Sequence, residues 1–436
     1  MIKFNVLFLG LLLLPVLARA EDEPEDWAVH AQATAVVQWH PAFHADYDGP
    51  RSLDPKDQGN ETSDATLYAG FRPWQGGEFW ANLELDQGFG LSDTMGVAGF
   101  TSGEAYKVGE HRPYFRLPRA FFRQSFDLGG DSQSVESDLN QLAGANTADR
   151  LVLTLGKFSV VDIFDTNQYA HDPRQDFLNW AIIDLGAFDY AADAWGFTYG
   201  MAAELSMGDW TGRLGVFDGS DHPNVKELDP IPFDQTQEML EIEHRHHLFG
   251  QEGKVKLLGF LTEARLGSYD DAIALGQASG TTPDTSLVRK MREKAGAGIN
   301  IEQPLSEDAG LFLRAGLTQG NAEPYEFADI DRALSFGASS AGAAWDRPHD
   351  RIGSALAFNQ ISEAAKRYFQ AGGLGILVGD GQLPNSAGER IWESYYSFSL
   401  AEGFAISADY QLVDHPAYNR DRGPVSVLAA RAHLQF

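Results

Sequence analysis

The chain of 436 residues contains no cysteine. Thiolate catalysis, Cys-ligated metal and disulfide bracing are thereby excluded. Beyond the first twenty residues, no apolar run reaches the roughly 18 residues that a membrane-crossing helix needs. Cations are scarce: 33 Lys and Arg stand against 62 Asp and Glu, for a formal net charge of −29. Binding a phosphate backbone needs clustered cations, so nucleic acid is not an expected partner. The sequence has no G-x-S-x-G elbow, P-loop or H-E-x-x-H motif. His244 and His246 share one strand face, but the sequence supplies no further ligands beside them. The Glu241/Glu243 pair is too common a pattern in so acidic a chain to mark a hydrolase. The expectation is a protein without enzymatic activity, cofactor or metal.

Three features are present in quantity. The first is a leader: Lys3, then an apolar stretch over residues 4–17, then Ala18-Arg19-Ala20. A cation, an apolar core and a small-x-small site predict a signal peptide over residues 1–20 and export of residues 21–436 as a single domain. The second is a terminal strand. Leu428, Ala430, Ala432, Leu434 and Phe436 alternate with Ala429, Arg431, His433 and Gln435. Period two gives a strand one apolar and one mostly polar face. A long apolar strand edge in a soluble protein invites aggregation. A closed barrel, the alternative to helices for satisfying every backbone group in lipid, removes that edge.

The third feature is repetition. Sixteen alternating segments run from residues 27–38 to residues 424–436; the fourth, fifth and sixth are placed at 114–126, 149–157 and 194–206. The links 73–77, 207–208, 249–252, 303–308, 344–350 and 401–403 are short. The links 39–63, 88–113, 158–193 and 361–389 are long. Short turns on one side and long loops on the other, with an even strand number, are the habit of bacterial barrels. One link, 127–148, is long for a turn, and residues 373–379 also look like a strand but are assigned to a loop. The predicted fold is an all-β, antiparallel transmembrane β-barrel of 16 strands, with 18 as the alternative, long extracellular loops and short periplasmic turns. Trp80, Trp195, Trp210 and Trp392 are candidates for the aromatic girdles at the membrane interfaces.

Within this frame, Glu84 and Asp86 share one face of the third strand, and Arg119, Phe121 and Arg123 share one face of the fourth. Charge is costly against lipid, so these rows face the lumen. Opposed acids and cations across a narrow pore orient polar solutes, or else brace the wall as ion pairs. The link 158–193 exceeds an ordinary connection and carries Phe164, Tyr169, Phe177 and Trp180, which argues for an ordered loop, folded into the lumen or, as the alternative, capping the barrel from outside.

Several stretches resemble the carbohydrate-selective outer-membrane porin family. They include Trp74-Gln75-Gly76-Gly77-Glu78, Glu84-Leu85-Asp86-Gln87-Gly88-Phe89-Gly90, Arg116-Leu117-Pro118-Arg119-Ala120-Phe121 and Asp162-Ile163-Phe164-Asp165. His171-Asp172-Pro173-Arg174, Phe177-Leu178-Asn179-Trp180 and Asn419-Arg420-Asp421-Arg422-Gly423-Pro424 continue the resemblance, which covers nearly all of the exported chain. It implies a sixteen-stranded barrel that passes small sugars, especially monosaccharides, through an eyelet lined by arginine, acidic and aromatic side chains. Carried over to matching positions, the eyelet set is Glu84, Asp86, Arg116, Arg119, Arg123, Asp162, Asp165, Arg174 and Trp180. The implied partners are sugars, outer-membrane lipid and lipopolysaccharide, and the barrel assembly machinery through the strand ending at Phe436, in a monomer or a trimer. A general or cation-leaning porin is the alternative that the acidic balance favours, and an outer-membrane enzyme on the same scaffold is the remaining one.

Overall fold

The computed structural model describes residues 24–327 and 329–436; the expected leader lies outside them. Sixteen strands close into one antiparallel barrel in which each strand pairs with its sequence neighbours. The first eight are β1 (Trp27–His40), β2 (Gln58–Trp74), β3 (Gly77–Gly88), β4 (Tyr114–Val135), β5 (Gly144–Phe158), β6 (Thr198–Met207), β7 (Trp210–Asp218) and β8 (Thr236–Leu248). The others are β9 (Gln251–Gly267), β10 (Arg289–Pro304), β11 (Ala309–Thr318), β12 (Arg332–Gly342), β13 (Arg347–Gln360), β14 (Glu389–Ala401), β15 (Phe404–Asp414) and β16 (Val425–Gln435). The β1–β16 seam runs from Trp39–Leu428 to Gln32–Gln435. Phe436 extends it, its N–H donating to the Ala31 carbonyl at 2.9 Å and its own carbonyl accepting from Ala31 at 2.8 Å. Closure leaves no open sheet edge in lipid.

Alternation sets the two faces. On β3, Ala81 and Leu83 are exposed outward while Asn82, Glu84 and Asp86 are buried inside. On β15, Ile406 faces out while Ser407, Asp409 and Gln411 are buried inside. One irregularity matters for the pore. Asn82 pairs with Arg119 but Glu84 pairs with Arg116, so β4 carries an extra residue across Leu117-Pro118. Proline has no N–H to donate and is tolerated at such a bulge. The bulge reverses the alternation, which turns both Arg116 and Arg119 inward.

Residues 373–379 form no strand, as their assignment to a loop expected, and the barrel has sixteen strands rather than the alternative eighteen. The structure corrects three other expectations. The supposed long turn over 127–148 is mostly strand, because β4 and β5 go on pairing to Val135–Gly144. Its Gly, Asp and Ser composition hid this, since it lacks the apolar face by which a lipid-facing strand is recognised. The sixth strand starts at Thr198 rather than 194. Of the girdle tryptophans, Trp210 and Trp392 are exposed outward, but Trp80 is buried inside and Trp195 belongs to a loop. Trp27, Trp39, Trp74 and Trp345 add to the outward set.

Candidate functional site

The lumen is partly filled by residues 159–197, the connection from β5 to β6. Its aromatic side chains account for its position: Phe164, Phe177 and Phe188 are fully buried, and each such burial is worth about 1.5–3 kcal/mol. Polar anchors fix where it lies. The Asp165 carboxylate accepts from Asn300 Nδ2 at 2.7 Å and from the Leu185 N–H at 2.7 Å. It also pairs with the buried Arg314 at 3.1 Å. Arg314 in turn donates to the Ile182 carbonyl at 2.9 Å. Glu241 on β8 accepts the Asp165 N–H at 2.9 Å. Glu393 on β14 accepts the Asn179 N–H at 3.0 Å, and Asn179 Nδ2 donates to Gln411 on β15 at 3.0 Å. The loop is thus tied to two arcs of the wall. His171, within the loop, sits 3.4 Å from Asp184. Burial opposes a charge on this ring, but Asp184 beside it outweighs burial and lifts the imidazole above its ordinary range.

Among the described residues, two chambers adjoin this loop. The upper one, about 310 Å³, has an aromatic side built from Phe100, Trp180, Tyr190 and Phe327. Phe100 and Trp180 stack with centroids 5.0 Å apart, Trp180 and Phe327 lie 5.3 Å apart, and Tyr190 and Phe327 4.5 Å apart. Its polar side carries three cations, each beside a carboxylate. Arg119 grips Asp162 through two hydrogen bonds of 2.7 and 2.6 Å. Arg174 lies 3.4 Å from Asp64 and 3.5 Å from Glu104. Lys107 lies 3.6 Å from Glu326. Burial pushes the Glu104 carboxyl well above its usual range.

The lower chamber, about 1090 Å³, is lined by Arg72, Glu78, Phe121, Arg123 and others. Arg119, Asp162, His171, Leu139 and Asn140 line both chambers. They mark the throat between them. Asp162 is held for this position: it accepts the Ser159 N–H at 3.0 Å in a capping box while gripping Arg119.

The sequence-derived set therefore divides. Arg119, Asp162, Arg174 and Trp180 line the upper chamber, and Arg119, Asp162, Phe121 and Arg123 line the lower. Glu84, Asp86 and Arg116 form a closed knot behind the wall of the upper chamber, with Arg116 bonded to both acids and to the Tyr106 hydroxyl. The rings of Tyr106 and Phe197 cover the Arg116 guanidinium at 4.4 and 4.9 Å. Asp165 is buried against Arg314 and lines neither chamber. Sequence reasoning missed Tyr68, Phe100, Tyr106, Tyr190, Phe327, Leu139 and Asn140. Tyr68 was within reach, because it alternates with outward Leu67 on β2. The others sit on loops or a turn, where no periodicity reports which way a side chain points.

Comparison with known proteins places this geometry. The family model described as "Carbohydrate-selective porin, OprB family" matches residues 50–436. The chain belongs to that family. Porin AaxA of Chlamydia trachomatis is 21% identical over 352 residues, which cover 76% of this chain and 64% of that protein. The match thus spans less than two thirds of this relative's length. Among solved structures, the high-pH form of Pseudomonas putida OprB superposes with a TM-score of 0.70 at 14% identity, covering 94% of each chain. The outer-membrane channel DcaP of Acinetobacter baumannii gives 0.52 at 9% identity, covering 94% of this chain and 97% of its own. At such identities the likeness concerns the fold. The family and the barrel fold are those of outer-membrane porins.

Proposed function

We propose that this member of the carbohydrate-selective porin family passes small neutral sugars by passive diffusion, selecting them at the throat between the two chambers. The observation that carries the reading is the two-sided upper chamber. Aromatic faces offer a resting place for the C–H face of a sugar ring, and paired charges opposite offer donors and acceptors for its hydroxyls. At about 310 Å³ the chamber lies at the small end of the roughly 300–1,000 Å³ range of small-molecule sites. That size suits one ring rather than an oligosaccharide.

Charge supports a neutral solute. Arg119 has Asp162 and Arg174 has Asp64 within reach, so neither arginine offers a free positive charge to trap an anion. Conduction also requires weak binding, since a solute held tightly does not leave. Arg119 and Asp162 satisfy each other before a sugar arrives, and exchanging their mutual hydrogen bonds for bonds to a hydroxyl is close to balanced.

Liposome swelling tests this. Purified refolded protein should admit glucose faster than an amino acid of similar size, and a carboxylate slowest. Entry ordered by solute size alone would overturn the sugar reading in favour of a general porin. Faster entry of cationic amino acids than of glucose would favour the cation-leaning pore that the net charge of −29 suggests.

A further inference from the structure

β4 and β5 continue where their neighbours stop. β3 leaves β4 at the pair Gly77–Gln124, and β6 leaves β5 at the pair Ser206–Arg150. Beyond these pairs, β4 and β5 make strand pairs only with each other, down to Val135–Gly144. Continued straight, some eight further residues would reach roughly 25 Å into the periplasm. The hairpin turns back instead. The register shifts on both sides of Gly129, and Gly129 and Gly130 have φ of 126° and 82°. Bulges bend a strand, and a glycine pair at positive φ takes up the bend without strain.

The tip, residues 136–143, is bonded into the barrel mouth. Arg123 Nη1 donates to the Asn140 carbonyl at 2.9 Å, and Arg72 donates to the Ala143 carbonyl at 3.2 Å. The Glu25 carboxylate accepts from the Ala143 N–H at 2.8 Å and from Ser137 Oγ at 2.7 Å. Gln435 Nε2 donates to Asp138 at 3.2 Å. Leu142 is fully buried, and Leu139 packs on the interior cluster. The tip is therefore fastened to β2, β4, β16 and the segment leading into β1. It brings Leu139 and Asn140 to the throat, opposite the loop that carries Asp162.

We infer that this hairpin tip is a second size-selecting element of the pore, with Leu139 and Asn140 forming the periplasmic lip of the throat. The throat is then built from both membrane faces: Asp162 is delivered on a loop from outside, and Leu139 on a turn from inside. The lip is fixed rather than hinged, because the Asn140 and Ala143 carbonyls are bonded to Arg123 and Arg72 on the wall and the Ala143 N–H to Glu25. This inference rests on the chain being a pore and not on which solute it prefers.

Two variants test it in planar bilayers and swelling liposomes. Leu139→Trp narrows the lip without touching the Arg119–Asp162 pair, and should lower single-channel conductance and glucose entry about twofold or more. Replacing residues 128–149 with Asn-Gly, a two-residue hairpin turn, should raise conductance and admit a disaccharide that the parent excludes. Parental conductance and parental glucose entry for Leu139→Trp would overturn the inference. If the shortened protein does not insert, Leu139→Trp decides alone. The parent's own ratio of glucose to amino-acid entry reports separately on the sugar reading, so the two can fail independently.

Discussion

Arg116 and Arg119 stand three positions apart on one strand, both pointing inward, yet they occupy different worlds. Arg116 lies between Glu84 and Asp86 under two aromatic rings, and the side chains of Arg116 and Glu84 keep only 10% and 1% of their surface. Arg119 meets one acid, and it and Asp162 keep 17% and 28% of theirs, open to both chambers. The difference is enclosure. A closed ion knot holds structure together, because removing one member leaves the others charged and dry. An open pair costs little to disturb, and so it can exchange partners with a passing solute.

The largest effect should come from breaking the knot. Arg116→Ala strands two buried carboxylates and should cost about 3–5 kcal/mol of stability, read by urea unfolding of the refolded barrel. An unfolding curve equal to the parent's would mean that the knot is not structural. Asp165→Ala should rank next, at about 3 kcal/mol, because Arg314 loses its buried partner. Unlike the first variant, it should also raise conductance, since the loop carrying Asp162 loses its anchor. A destabilised barrel with parental conductance would show that the loop is held by its aromatic side chains alone.

The third prediction concerns pH. Burial pushes the Glu326 carboxyl, on the loop between β11 and β12, up to about 8; Lys107 pulls it down, while Asp189 and Asp193 push it up. Unfolded, it titrates near about 4.3. Between those values the folded state holds a proton that the unfolded state has lost. The stability it contributes is thus complete below the lower value and is lost as pH rises through the upper one. Lys107, lowered by burial, acts in the opposite sense. Melting temperature should fall from pH 5 to pH 8, and Glu326→Gln should flatten that slope. An equal slope in both proteins would assign the effect to other groups.

The smallest effect on stability belongs to the open pair. Arg119→Gln should change unfolding by less than about 1 kcal/mol, yet reduce the preference for glucose over an amino acid in swelling assays. A large loss of stability with unchanged preference would erase the contrast with Arg116.

Both arginines were legible as lumen candidates, but their division was not. From alternation alone, Arg116 falls on the opposite face from Arg119, and only the bulge at Leu117-Pro118 brings them to one side. Glu84 and Asp86 read equally well as pore lining or as bracing; in the fold the loop residue Tyr106 covers the knot, and neither acid lines a chamber. Leu139 and Asn140 were invisible because the segment around them read as a long turn, and a turn carries no periodicity.

What the sequence determined by itself was the wall. Period-two alternation is local: it follows from the pleat, and lipid on one side with polar interior on the other writes it into every strand. Strand number follows from the same signal, with loop length supplying the parity. What only the tertiary structure decided was the throat. Its residues come from β4, from the connection between β5 and β6, and from the turn between β4 and β5. They meet because buried aromatic side chains, the Asp165–Arg314 pair and the bonds from Arg72 and Arg123 fold two connections back into the barrel from opposite ends. Those contacts join residues far apart in the chain, and no local pattern encodes them.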